Sequence, residues 1–374
     1  MERHKKKIML VFGTRPEAIK MCPLVKELRT RRGLEVRVCV SGQHREMLDS
    51  VLSAFGIMPD YDLSVMKKGQ SLCELSERIL RGIDSVLDKE SPDLVLVHGD
   101  TSSAFAASLA CFYKKIPIGH VEAGLRTYDI DSPFPEEFNR RAISLVAKYH
   151  FAPTEGARQN LLREGVPDSS ITVTGNTAID ALFSTVRQDF SHELLDWAGG
   201  RRIVLISAHR RENQGERMYS MLMGIRRVLE ENRDICAIYP VHPSPKVRCV
   251  AESVLDTCPS VRLTEPLGVV EFHNIMAKSY VILTDSGGIQ EEAPSLGIPV
   301  LVMRESTERP EGVMAGALMQ VGTDGESIHK HLSELLSDSA MYERMSKAPN
   351  PYGDGYASRR IADKVENELF DDCN

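Results

Sequence analysis

Thr284-Asp285-Ser286-Gly287-Gly288-Ile289-Gln290-Glu291-Glu292-Ala293 follows the apolar run Tyr280 to Leu283 and precedes Gly297-Ile298-Pro299-Val300-Leu301-Val302. An apolar run of strand length, a Ser-Gly-Gly turn and a helix opening behind it are the parts of a βα unit in a sheet buried on both faces. Ser286, Gly287 and Gly288 would place unshielded backbone N–H groups at the helix start, where an anion can be approached closely. Glu292, one turn further in, stands where a carboxylate can accept from sugar hydroxyls. The stretch suits a phosphate and a ribose held together, although an ordinary strand-to-helix turn of an α/β domain is spelled the same way.

The same alternation runs outward in both directions. Strand candidates are Ile8 to Phe12, Val36 to Val40, Leu94 to His98, Ile116 to Val121, His150 to Ala152 and Ile171 to Thr174, separated by helical stretches such as Glu17 to Arg29, Leu72 to Asp88 and Ser102 to Tyr113. A second series comprises Ile203 to Ser207, Ile235 to Tyr239, Val261 to Leu263, Tyr280 to Leu283 and Val300 to Met303. Two doubly wound α/β domains are expected, with residues 1–187 in the first and 188–355 in the second. The polar stretch from Gln188 to Arg202, with Gly199-Gly200 near its end, reads as the boundary. Ligands of such sheets bind beyond the carboxyl ends of the strands, so the polar clusters that follow strands are the candidate sites.

Composition narrows the partners. The 374 residues carry a net charge of −7 without a basic domain, which argues against a surface that tracks nucleic-acid phosphates. No segment has the length and apolarity of a membrane span, and Ile8 to Phe12 is too short for a signal-peptide core, so a cytoplasmic enzyme is expected. The eight cysteines contain no Cys-x-x-Cys pair and read as reduced thiols rather than a disulfide framework or a zinc site.

Chemistry-bearing residues follow the strands. After the first come Gly13-Thr14-Arg15-Pro16-Glu17-Ala18-Ile19-Lys20, in which a helix N-terminus with Arg15 and Lys20 suits phosphate oxygens. This is not a Gly-x-Gly-x-x-Gly fingerprint, so a dinucleotide cofactor is not expected. His98-Gly99-Asp100-Thr101 and Gly119-His120-Val121-Glu122 bring two carboxylates to one sheet edge, suited to proton transfer, though Asp100 is also placed to cap the next helix. Glu136 and Glu137 open a helix after Pro133-Phe134-Pro135, where acids also complement the helix dipole. In the second series, Ala208-His209-Arg210-Arg211-Glu212-Asn213 and Pro240-Val241-His242-Pro243 suit a diphosphate leaving group or a proton relay. Arg304 to Glu311 is the last dense polar turn after a strand.

Together, the segments Val11 to Lys20, Val97 to Asp100, His120 to Thr127, Pro135 to Arg140, His209 to Glu212 and Thr284 to Glu311, with Gly175-Asn176-Thr177 and Asn350-Pro351-Tyr352-Gly353, resemble the non-hydrolysing UDP-N-acetylglucosamine 2-epimerases. The resemblance spans nearly the whole chain. It implies a GT-B fold of two Rossmann-like domains with the active site in the interdomain cleft, a last helix of about 356–372 joining the first domain, and a homodimer. Carried over, the acid/base groups are Asp100, Glu122 and Glu136, with His209 facing the diphosphate. Arg15 and Lys20 fall near the phosphates and sugar, Ser286, Gly287 and Gly288 on the diphosphate turn, and Phe272, Glu292 and Arg309 on uridine and ribose. Gln43, Glu136, Arg210 and His242 match a site where some members bind a second UDP-N-acetylglucosamine as activator, but Gly69 replaces an arginine found in activated members. No metal or cofactor is implied. Reversible C2 epimerisation of UDP-N-acetylglucosamine is the expected reaction; a hydrolysing 2-epimerase, an epimerase of a modified UDP-sugar such as a diacetamido uronic acid, and a GT-B glycosyltransferase are the alternatives.

Overall fold

Ile8 to Phe12 form the centre of the first strand, β1 (Lys6–Phe12), and all five side chains are fully buried. A run apolar on both faces needs helices on both sides, and the order of elements supplies them. The computed structural model describes residues 5–42, 45–67, 69–307 and 309–371. It divides into two compact units, Met1–Ser184 with Tyr352–Asn374, and Thr185–Pro351.

In the first unit β1 is joined by β2 (Leu34–Val40), β3 (Tyr61–Asp62), β4 (Leu94–His98), β5 (Ile118–Val121), β6 (Tyr149–Ala152) and β7 (Ile171–Val173). All pair in parallel, in the order β3-β2-β1-β4-β5-β6-β7. The order reverses at β1, so the connections after β1 and β4 diverge to opposite faces and leave a crevice at the strands' carboxyl ends. Thr14 and Glu17 form a capping box that starts the helix Arg15–Arg29, with Pro16 in the first turn. The helix Ala357–Asp371 also belongs to this unit. Its first turn is held by the Asp180 carboxylate, which accepts from the Ser358 N–H at 2.7 Å and the Ala357 N–H at 3.2 Å. Arg31 pairs with Asp363 at 2.7 Å along the same helix.

The second unit repeats the plan with β8 (Arg202–Ser207), β9 (Ile235–Pro240), β10 (Val261–Thr264), β11 (Val281–Thr284), β12 (Val300–Val302) and β13 (Leu318–Gln320). These are again all parallel, in the order β10-β9-β8-β11-β12-β13, and the reversal falls between β8 and β11. Gly224 and Gly325 bring two helices, Glu216–Glu231 and Gly325–Ser337, into backbone contact: a Cβ on Gly224 would stand 2.3 Å from the Gly325 carbonyl oxygen.

Several details differ from the reading of the sequence. β3 and β13 were not expected, because edge strands of two and three residues are too short to show a period. β5 begins at Ile118 rather than Ile116, just after Pro117. The units divide at Ser184/Thr185, ahead of the polar stretch 188–202; that stretch contains a short helix, Glu193–Ala198, closed by Gly199, and leads into β8.

Candidate active site

In each unit the candidate residues gather at the reversal point of the sheet. In the first, Gly13 and Thr14 leave β1 while Gly99, Asp100 and Thr101 leave β4, and one buried carboxylate ties the two connections together. Glu17 accepts from the Gly13 N–H at 3.0 Å, the Thr14 N–H and hydroxyl each at 2.8 Å, and the Thr101 hydroxyl at 2.7 Å. Thr101, not Asp100, caps the helix Ser102–Tyr113, its hydroxyl accepting from the Ala104 N–H at 3.1 Å. A hydroxyl one residue closer to the helix takes that role, which corrects the capping reading of Asp100 and leaves its side chain for another partner.

That partner is the Arg140 guanidinium, and Asn139 donates to the Asp100 carbonyl at 2.8 Å. Burial pushes the Asp100 carboxyl above its ordinary value; Glu122 and Glu136 push it the same way, while Arg140 opposes them. Asp100 is thus close enough to feel both of the other carboxylates of the sequence analysis. Glu136 and Glu137 have different fates. Glu137 is fully buried and accepts from the Thr127 N–H at 3.0 Å and the Tyr128 N–H at 3.2 Å, holding the connection that precedes its own helix, Glu136–Val146. Glu136 is only partly buried and faces Asp100 electrostatically.

Glu122 follows β5 with φ at +61°, an unusual conformation for a side chain of its size. Gly124, two residues on, has φ at +89°, and a Cβ there would stand 2.3 Å from the Ala157 carbonyl oxygen, so this turn admits no other residue without moving. The Glu122 carboxylate pairs with Lys20 and accepts from the Asn176 amide at 2.8 Å. Arg15 opens its helix at the same sheet edge, and burial lowers its pKa.

In the second unit Asp285 plays the part of Glu17. Fully buried at the end of β11, it accepts from the His209 N–H at 3.1 Å, the Arg210 N–H at 2.9 Å and the Asn213 amide at 3.0 Å. These bonds fold the connection after β8 and present His209. Burial lowers the His209 pKa, with Asp285 opposing and His242 and Arg210 adding to the shift. The His209 ring stacks on the exposed His242 ring at 5.4 Å between centroids.

Ser286 stands at the N-cap position of the short helix Gly287–Glu292 without a side-chain capping bond, and the helix's first residues are the two glycines. Arg309 lies over Gly287, where a Cβ would meet its guanidinium carbon at 3.2 Å, and it is held by Glu291 at 2.8 Å. Glu292 ends the helix, its carboxylate 3.6 Å from His273, whose other ring nitrogen bonds Thr185 at 2.7 Å. Phe272 precedes that histidine and is partly buried.

Of the residues assigned to an activator, Gln43 lies outside the described residues. Gly69 is exposed with φ at +77°. Beside it Arg78 comes from the helix Leu72–Glu90 and donates to the Val65 carbonyl at 2.8 Å, so a guanidinium does border this position, from another element.

Sequence reasoning gave no role to Glu17, Arg140, Asn176 or Asp285. Thr14-x-x-Glu17 carried a legible capping signal. Arg140 reaches Asp100 from 40 residues away, Asn176 reaches Glu122 from 54, and the donors to Asp285 lie at least 72 residues away, beyond any local pattern. Among the described residues no group of His, Cys, Asp and Glu is placed to hold a metal ion, and no helix is long and apolar enough to cross a membrane.

The chain is similar over nearly all of its length to known proteins. The family model described as UDP-N-acetylglucosamine 2-epimerase matches residues 26–366. The UDP-N-acetylglucosamine 2-epimerase of Bacillus subtilis (strain 168) is 55% identical over 366 residues, covering 98% of this chain and 96% of that one. The UDP-N-acetylglucosamine 2-epimerase of Neisseria meningitidis, solved bound to UDP-N-acetylglucosamine, superposes with a TM-score of 0.89 at 46% identity, covering 96% of this chain and all of that one. The Staphylococcus aureus MnaA structure with UDP has a TM-score of 0.91 at 50% identity, covering 97% of each chain. The doubly wound sheets and polar strand ends described above therefore sit in a chain alike over nearly its whole length to these proteins, and it belongs to the UDP-N-acetylglucosamine 2-epimerase family.

Proposed function

We propose that this chain interconverts UDP-N-acetylglucosamine and UDP-N-acetylmannosamine without hydrolysing them. The observation that carries the reading is that Asp100, at the reversal point of the first sheet, feels two further carboxylates, Glu122 and Glu136. The C2 hydrogen of such a sugar is not adjacent to a carbonyl, so it leaves as a proton only if another bond absorbs the electron pair. Departure of UDP from C1 does so. A carboxylate takes the C2 proton, the C1–C2 double bond of a 2-acetamidoglucal forms, and the C1–O bond breaks with its electrons passing to UDP. Re-addition of UDP with protonation from the opposite face gives the epimer. Two proton-handling groups are needed, and a carboxyl held above its ordinary value, as Asp100 is, suits one of them.

Stabilising the departing diphosphate requires cations and backbone N–H groups. Arg15 and Lys20 in the first unit, and His209, Ser286, Gly287 and Gly288 in the second, are our candidates, with Phe272, Glu292 and Arg309 for uridine and ribose. The route needs no nicotinamide. We also propose a cytoplasmic homodimer. A second UDP-N-acetylglucosamine beside His242 and Arg210 is the activator reading, and the glycine at 69 weighs against it.

Proton NMR of the purified protein with UDP-N-acetylglucosamine in deuterated water tests the reading. Deuterium entering C2 with UDP-N-acetylmannosamine accumulating to an equilibrium mixture is the expected result. Free N-acetylmannosamine with UDP would instead identify a hydrolysing enzyme. An unchanged spectrum at both low and high UDP-N-acetylglucosamine would redirect attention to a modified UDP-sugar or a transferase.

A further inference from the structure

His98 ends β4 and is 3% exposed, yet its Nε2 has no hydrogen-bond partner. A buried ring nitrogen without a partner is costly and uncommon, so its direction matters. It points at the Glu122 carboxylate: Nε2 stands 3.8 Å from the same oxygen, Oε2, that Lys20 and Asn176 hold. A shift of under one ångström on either side would close a hydrogen bond. Burial, reinforced by Lys20 and opposed by Glu122, lowers the His98 pKa to about 4, so the ring is neutral near pH 7 and offers one N–H rather than a second positive charge.

We infer that His98 is a positioning residue for Glu122, an Nε2–H donor that takes over the carboxylate when Lys20 turns to the bound nucleotide sugar. The inference rests on the epimerase reading. Its physical basis is a division of tasks. Lys20 is the flexible, charged partner of Glu122 and is also suited to phosphate or sugar oxygens; while it serves a ligand, Glu122 gives up its charged donor and keeps the Asn176 amide. A neutral donor anchored at a strand end restores a second bond without changing the charge of the site. The carboxylate then keeps its aim at C2 through proton transfer.

The test pairs His98→Phe, which keeps a planar ring and removes the donor, with His98→Gln, which keeps an amide donor. For His98→Phe we expect kcat to fall about tenfold or more with KM within about twofold, since an interaction needed for the chemical step alone lowers kcat. The acid limb of kcat/KM should move to higher pH, because Glu122 loses a donor to its charged form. Glu122 faces the titratable groups Lys20, from the helix after β1, Asp100 after β4, which also feels Arg140 and Glu136, and His98, which in turn acts on His120 of β5; of these only His98 changes in the variant. His98→Gln should recover part of kcat and return the limb toward the parent's. Parent-like kcat and pH profile in a folded His98→Phe would overturn the inference, as would equal losses in both variants tracking a lower melting temperature, which would mark a packing role only. A readout independent of turnover separates this inference from the function it rests on. In nitrogen-15 spectra of histidine-labelled protein, His98 should remain a neutral Nε2–H tautomer from about pH 6 to 8 and its Nε2 signal should move on Glu122→Gln. If the parent shows no C2 exchange but that coupling is present, the epimerase reading fails and the contact stands. If the signal ignores Glu122→Gln, the contact fails whatever the activity.

Discussion

Asp285 and Glu17 are each surrounded by donors and each shape one connection at a sheet's reversal point. Replacing such a carboxylate by its amide puts an NH2 group against N–H groups. Asp285→Asn should therefore cost on the order of 3 kcal/mol in urea unfolding, and far more in activity than a surface change of equal cost, because the turn carrying His209 loses its organiser. Stability unchanged within error would show the bonds to be dispensable. Asp100→Asn makes the opposite test. Its partner Arg140 keeps a second carboxylate, Glu137 at 3.4 Å, so the fold should survive and nucleotide binding stay within a few fold, while kcat drops by about 10² or more. Equal turnover in variant and parent would remove Asp100 from the mechanism. The identities of Asp100 and Glu122 were legible in the sequence because they follow apolar runs. Their partners were not, since Arg140 and Asn176 enter from elements far along the chain.

Three adjacent strands each contribute a buried histidine. His120 pairs in register with His150 across β5 and β6, and His98 ends the neighbouring β4. Burial is the first cause in every case, lowering them to about 4 for His98, 3 for His120 and 4 for His150. All three are therefore neutral in the fold but take up protons when unfolded, near pH 6.5. The stability they allow is complete above about pH 6.5 and is lost as the pH falls toward 4, each contributing on the order of 1–2 kcal/mol by pH 5. Urea midpoints at pH 7 and pH 5 should show this loss, and His120→Asn should shrink it; an unchanged difference between the two pH values would be inconsistent with a neutral buried ring. At the same scale, Gly224→Ala must separate the two helices that meet at Gly325 or strain their backbones, and a loss of roughly 2 kcal/mol is expected. The long buried strands were legible because both faces are apolar. β3 and β13 carry too few residues for any pattern, and β5 starts late because Pro117 precedes it.

Two sheets of one plan make up the molecule, and the alternation of strand and helix in the sequence was enough to read that much. The division at Ser184/Thr185 was less legible, because polar residues continue through the helix Glu193–Ala198 and mark no single break. The first unit also depends on a distant segment. Asp180 and Arg31 hold the helix Ala357–Asp371, and the Asn176 N–H donates to the Tyr352 carbonyl at 2.7 Å, next to the amide that serves Glu122. Ending the chain at Pro351 should therefore lower the melting temperature of the first unit more than that of the second, as domain-resolved calorimetry or limited proteolysis would reveal; equal effects would mean the helix is merely attached. Unit two's residues, 185–351, thus form a parenthesis within unit one. On the ribosome the second sheet is complete in sequence before the first has received its closing helix, so the part translated first is the part that must wait to finish folding.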